Sequence, residues 1–220
     1  MSMLINPYVF AAAAAVAAGW DITTASYVST KDVSAQDGSP FGIAFSPDGL
    51  MMFMVGYSGD NVYRYDLSTA WDITSATYVS SKYVRSQDSY PYDVTFSGDG
   101  ARMFVLGGLT DSVYRYNLSP AWDITTASYT SLKSVTAQDT APQGVTFSPD
   151  GTKMFVAGGA NDSVYRYDLT TAWDITTASY VSLKSVSAQD TYPYGIRFSG
   201  DGTIMLVGGA TGDSVYRYDL

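Results

Sequence analysis

The chain has no cysteine and no histidine, and all 21 of its acidic residues are aspartate, because glutamate is absent too. Without cysteine there are no disulfides, no thiolate metal sites and no thiol nucleophile. Without histidine the usual metal ligand and the usual general base near neutral pH are gone, and with them every histidine-containing catalytic triad. Aspartate is a turn residue and a poor strand former, so an acidity made only of aspartate belongs in loops. The net charge of −9 disfavours a nucleic-acid backbone as partner and admits cations. No long apolar run exists. The alanine-rich residues 11–18 are helix-prone but too short and too weakly apolar to span a bilayer, so no membrane partner is expected.

What is present is one sentence of sequence read four times. Trp20, Trp71, Trp122 and Trp173 open copies spaced 51 residues apart without insertion, and the fourth copy runs to Leu220. A period of this length marks a repeat architecture. Each copy reads as four short strands. Residues 42–46 place Ile43 and Phe45 on one face. Ser46-Pro47-Asp48-Gly49 is a turn, and residues 50–55 form the next strand. Residues 61–67 alternate Tyr63, Tyr65 and Leu67 against Val62, Arg64 and Asp66. Residues 25–33 and their copies supply the fourth strand.

A four-stranded antiparallel unit at this period is a β-propeller blade. The expected fold is therefore all-β: residues 20–220 form four 51-residue, four-stranded blades, preceded by an extension of residues 1–19. Residues 25–33 have no blade before them, so they are expected to act as a latch strand. They would pair with residues 213–220 and close the ring. The same latch admits a monomer with four blades or an end-exchanged homodimer with eight. Residues 1–19 read as a packed or flexible lead-in or as an attachment segment. A secretion signal is disfavoured, because no lysine or arginine precedes the apolar run. Localisation stays open.

One rim of such a ring carries the Asp-Gly turns and the Trp-Asp-Ile links, which read as structure. The other carries the Gln-Asp-x-x-Pro links. Asp37, Asp88, Asp139 and Asp190 lie there, opposite Asp60, Asp111, Asp162 and Asp213 in the facing loops. Eight carboxylates read as turn and cap partners, or as ligands for Ca²⁺ or another hard cation. Aromatic residues break the symmetry of these links: Phe41, the pair Tyr90 and Tyr92, and the pair Tyr192 and Tyr194. Such rings suit a sugar or a peptide. Two inner-strand positions also depart from the repeat. Asp93 stands where other copies have Gly42, Gly144 and Gly195, and Arg197 where they have Ala44, Thr95 and Thr146. In a four-bladed ring they belong to opposite blades, so a pair across the channel is expected. The Arg64 and Lys31 series read as scaffold that pairs with aspartate or stacks on tyrosine.

The motif Phe-Ser-Pro-Asp-Gly-x-x-Met-Phe-Val-x-Gly at residues 147–158, with Asp-Ser-Val-Tyr-Arg-Tyr-Asp-Leu at 162–169, resembles propellers of the YVTN and lactonase-like group. More distantly it resembles WD-repeat blades. The Trp-Asp-Ile-Thr extension resembles tandem repeats of bacterial and phage-encoded proteins, some of them surface or virion-associated. No catalytic residue of the group maps onto this chain. The functional expectation is a non-catalytic binding or structural module for carbohydrate or protein. The alternatives are a metal-dependent hydrolase or lyase using the rim aspartates, and a repeat scaffold without a ligand.

Overall fold

The computed structural model describes residues 26–220, and Lys31–Leu220 form one compact unit within it. That unit is a β-propeller of four antiparallel blades. Blade one holds β1 (Pro40–Phe45), β2 (Met51–Gly56), β3 (Asn61–Leu67) and β4 (Ala76–Tyr83). Blade two holds β5 (Pro91–Phe96), β6 (Arg102–Gly107), β7 (Ser112–Asn117) and β8 (Ser128–Ser134). Blade three holds β9 (Pro142–Phe147), β10 (Lys153–Gly158), β11 (Ser163–Leu169) and β12 (Ala178–Ser185). Blade four holds β13 (Pro193–Phe198), β14 (Ile204–Gly209) and β15 (Ser214–Asp219).

Neighbouring strands pair in chain order, so each blade is a meander from the axis outward. The second strand of blade one reads Met-Met-Phe-Met-Val-Gly and is buried on both faces, as expected where blades lie on either side. The third strands alternate, and the outer fourth strands are largely exposed.

The first turn is built by its own side chains. Asp48 Oδ1 accepts from Ser46 Oγ at 2.6 Å and from Leu50 N at 3.1 Å, while Met51 N donates to Ser46 Oγ at 3.0 Å. The arrangement recurs at Asp99, Asp150 and Asp201. These hydrogen bonds favour the charged form, and the serine hydroxyl contributes most. All four carboxyls sit below the usual range, Asp150 at about 2.

Gly49 closes this turn with φ 71°, and a side chain there would also meet the Trp71 ring at 2.4 Å. Trp122 shows what the ring does. It packs on Phe53 of blade one and Phe96 of blade two, with centroids 5.9 and 5.3 Å away. Trp173 does the same with Phe104 and Phe147. Trp122 and Trp173 are wedges between modules. After Trp71, Trp122 and Trp173 an aspartate caps a single 3-10 turn, as Asp123 does by accepting from Thr125 N, and Ile124 and Ile175 are buried beneath.

The core lies between blades, where apolar residues of one blade's second and third strands meet the next blade's first and second strands. The junction from blade four back to blade one differs. Val62, Val113 and Val164 are buried, but their counterpart Val215 is 56% exposed. Val94, Val145 and Ile196 are buried, but their counterpart Ile43 is 49% exposed.

The expected latch strand is not formed among the described residues. Residue 25 lies outside them, residues 26–33 form no strand, and the sheet of blade four ends at β15 with three strands. Lys31 and Val33 make on blade one the contacts that their repeat equivalents make on the blade that follows them. Lys31 Nζ donates to Ala76 O at 2.7 Å, as Lys133 does to Ala178 O, and Val33 packs on the cluster of Met52, Met54 and Tyr65. Among the described residues, no strand pairs with the outer edge of β15. Residues 1–19 and Trp20, of which an extension and the opening of the first repeat were expected, lie outside the described residues.

Candidate ligand site at the mouth of the channel

The Gln-Asp pairs position this rim. Asp37 Oδ1 accepts from Ser39 N at 2.8 Å and Ser58 N at 3.2 Å, and Oδ2 from Gly59 N at 2.8 Å and Tyr63 Oη at 3.3 Å. Asp88, Asp139 and Asp190 repeat the clamp onto the backbone of both loops. The preceding glutamines each accept from the second tyrosine of the third strand, as Gln36 Oε1 does from Tyr65 Oη at 3.1 Å. A Cβ at Gly56 would lie 2.3 Å from the Asp37 carboxyl, so the glycine admits the clamp.

The facing aspartates Asp60, Asp111, Asp162 and Asp213 all adopt positive φ of 48–52°, which aspartate tolerates better than most residues. Asp60 also pairs with Arg85 at 3.0 Å. A hard cation takes several convergent oxygens. Among the described residues no three acidic side chains gather that way, and the lone pairs of the Asp37 series go to N–H and O–H donors. The geometry of the Asp37 series is that of loop clamps.

The aromatic residues do come together. Phe41 lies 5.4 Å from Tyr92 and 5.6 Å from Tyr194 between ring centroids, and Tyr192 lies 6.0 Å from Tyr194. Tyr57 joins Phe41 at 5.9 Å and Tyr90 at 5.3 Å. Six rings from blades one, two and four thus form one patch. Burial, with Tyr192 and Tyr92 close by, pushes the Tyr194 hydroxyl up to about 12. The patch borders a slot of about 680 Å³ between blades four and one. Ile43, Leu206 and Val215 line it together with Asp93, Gln143 and Arg197.

The pair across the channel is present. Arg197 Nη1 and Nη2 each lie 3.2 Å from an Asp93 carboxylate oxygen. Asp93 also accepts from Val94 N and Val145 N, both at 2.9 Å. Arg197 donates further to Ile196 O, Val145 O and Ile43 O at 2.7, 3.2 and 3.0 Å. One ion pair therefore ties together inner strands of all four blades, and the Asp93 carboxylate holds the Arg197 guanidinium above its ordinary pKa. A Cβ at Gly42 would lie 2.2 Å from Asp93 Oδ1, so the glycine opposite is what admits the carboxylate.

Sequence reasoning singled out Phe41, Tyr90, Tyr92, Tyr192, Tyr194, Asp93 and Arg197, and all seven lie at or beside this slot. It missed Tyr57 and Gln143. Both carried a signal as symmetry breaks. Tyr57 replaces the Gly108, Gly159 and Ala210 of other copies, and Gln143 stands where they have Phe41, Tyr92 and Tyr194.

A family model described as "Lactonase, 7-bladed beta-propeller" matches residues 11–220. The chain belongs to this lactonase propeller family. Among solved structures, a putative 6-phosphogluconolactonase from Bacteroides uniformis superposes with a TM-score of 0.58 at 15% identity. That match covers 89% of this chain and 55% of the other. The periplasmic gluconolactonase PpgL of Pseudomonas aeruginosa gives 0.55 at 18%, covering 82% and 49%. Hydrazine synthase of Kuenenia stuttgartiensis gives 0.57 at 23%, covering 88% and 49%. At such identities the likeness is one of fold. This lactonase-family chain spans about half the length of the structures it resembles. No curated protein matches it in sequence.

Proposed function

We propose that this propeller is a non-catalytic binding module whose ligand, a carbohydrate or a protein segment, sits on the aromatic patch at the channel mouth. The patch of six rings beside an apolar slot carries the reading, because concave sites with exposed rings and few polar groups are typical ligand sites. Hydrolysis needs a base or nucleophile with a free lone pair near the reacting atom. Both oxygens of Asp93, the acid in the slot, are held by Arg197 and two backbone amides.

A second reading, lactone hydrolysis, is favoured by the family and by the gluconolactonases among the structural neighbours. The two separate in one experiment. Glucono-1,5-lactone is followed by NMR in buffer with and without the chain, and binding is followed by the broadening of ligand resonances. Binding with ring opening at the buffer rate, abolished by Tyr194→Ala, supports the module. Ring opening accelerated in proportion to protein concentration overturns it in favour of the hydrolase.

A further inference from the structure

We infer that the ligand is an uncharged polyhydroxylated ring, and that Gln143 is the residue that selects it. The inference rests on the binding reading above and deepens it. Four equivalent positions face the channel mouth: Phe41, Tyr92, Gln143 and Tyr194. Three are aromatic and the fourth is an amide. Gln143 is 3% exposed and lines the slot; its Nε2 donates to Tyr192 Oη at 2.9 Å, and its Oε1 has no partner among the described residues. A buried amide left half-paired is destabilising, and an aromatic residue of the repeat would avoid the penalty.

The unmet group identifies the chemistry. If the amide were turned over, oxygen would accept from Tyr192 and nitrogen would be the orphan, so one polar atom lacks a partner in either orientation. A hydroxyl both donates and accepts, so it satisfies either, and the soft terminal torsion of glutamine lets the amide swing toward the slot to meet it. Charge on the ligand gains little here, since Asp93 and Arg197 neutralise one another, both Asp93 oxygens are held, and Nη1 and Nη2 of Arg197 are engaged by Asp93 and backbone carbonyls. The apolar face of a sugar ring would lie against Phe41 and Tyr194, which are stacked at 18° between ring planes.

The test is saturation-transfer NMR on the full chain with D-glucose, D-galactose and D-mannose, against glucuronate and glucosamine as charged ring counterparts and sorbitol as the neutral open chain. The expected result is that at least one neutral ring sugar binds, that glucuronate, glucosamine and sorbitol bind more weakly, and that Gln143→Leu and Gln143→Tyr each weaken binding at least tenfold. Gln143→Tyr, which restores the repeat, should not lower the melting temperature. Neutral sugars bound equally by wild type and Gln143→Leu would overturn the inference, as would tighter binding of glucuronate or sorbitol. Binding of no sugar would overturn it too. The module reading has its own readout: a peptide library scored for binders lost on Tyr194→Ala would sustain that reading while this one fails.

Discussion

The ion pair at the axis makes a prediction that a double-mutant cycle can read. Asp93 has almost no exposed surface, whereas the Arg197 side chain is 43% exposed along the slot. At 3.2 Å and an effective dielectric constant near 20, the Coulomb attraction is about 5 kcal/mol. Desolvation of the carboxylate and hydration of the half-open guanidinium offset much of that, leaving a coupling of about 2 kcal/mol. Arg197→Met should therefore cost about 3–4 kcal/mol, because it strands a buried carboxylate with only two backbone amides. Asp93→Asn should cost less, since an amide oxygen still accepts from Val145 N and the freed guanidinium is reachable by water. The double variant should recover the difference. Urea unfolding followed by tyrosine and tryptophan fluorescence gives each value, provided the slope against denaturant is unchanged. A coupling below about 0.5 kcal/mol, or single variants of equal cost, would refute the claim that this pair holds the inner strands together.

Three further outcomes follow from the frame. Trp122→Ala should cost about 2–3 kcal/mol by urea unfolding, since it empties the wedge between Phe53 and Phe96, while Gly100→Ala should also destabilise by placing a Cβ into that ring at φ 69°. Asp139→Ala should cost about 2–3 kcal/mol and speed hydrogen exchange at Ala160 and Asn161, whose amides it anchors. Alkali should unfold the protein from about pH 10. Burial raises the hydroxyl of Tyr65 to about 12, lifts Tyr194 as far, and raises those of Tyr116 and Tyr167 as well. The folded state thus holds these protons more tightly than the unfolded chain, so stability is intact below pH 10 and is lost as pH rises through about 12. A pH titration of fluorescence and of 295 nm absorbance checks the order: ionisation of these four should coincide with unfolding rather than precede it.

How much of this was legible in the sequence depends on the kind of interaction. Period-2 alternation placed β3 at residues 61–67 without error, because the pattern reports which face is buried. The Asp93–Arg197 pair was legible as two opposite charges breaking one repeat on opposite blades, which need each other once the ring forms. The rim aspartates were ambiguous, because a carboxylate that clamps an amide and one that ligates a cation look the same in a sequence. In the structure Asp37 accepts from three loop amides and from the Tyr63 hydroxyl on β3, which is the pattern of a clamp. The open junction was not legible at all. Val62 and Val215 are the same residue in nearly the same sentence, yet one is buried and the other exposed, since burial between blades is supplied by a neighbour that the local pattern does not mention.

Residues repeated in every copy, such as the Asp-Gly turns and the Gln-Asp clamps, do equivalent structural work in each blade and cannot single out one ligand pose. A ligand on the axis of a nearly symmetric ring is held in one orientation only by groups that differ between blades. At the mouth those are Asp93 for glycine, Arg197 for a small residue, Tyr57 for glycine or alanine, Tyr90 and Tyr192 for the Ser39 and Ala141 of other copies, and Gln143 for an aromatic ring. Asp93 and Arg197 hold one another and the tyrosines extend the aromatic floor, so in the binding reading Gln143 is the polar group left to orient a ligand.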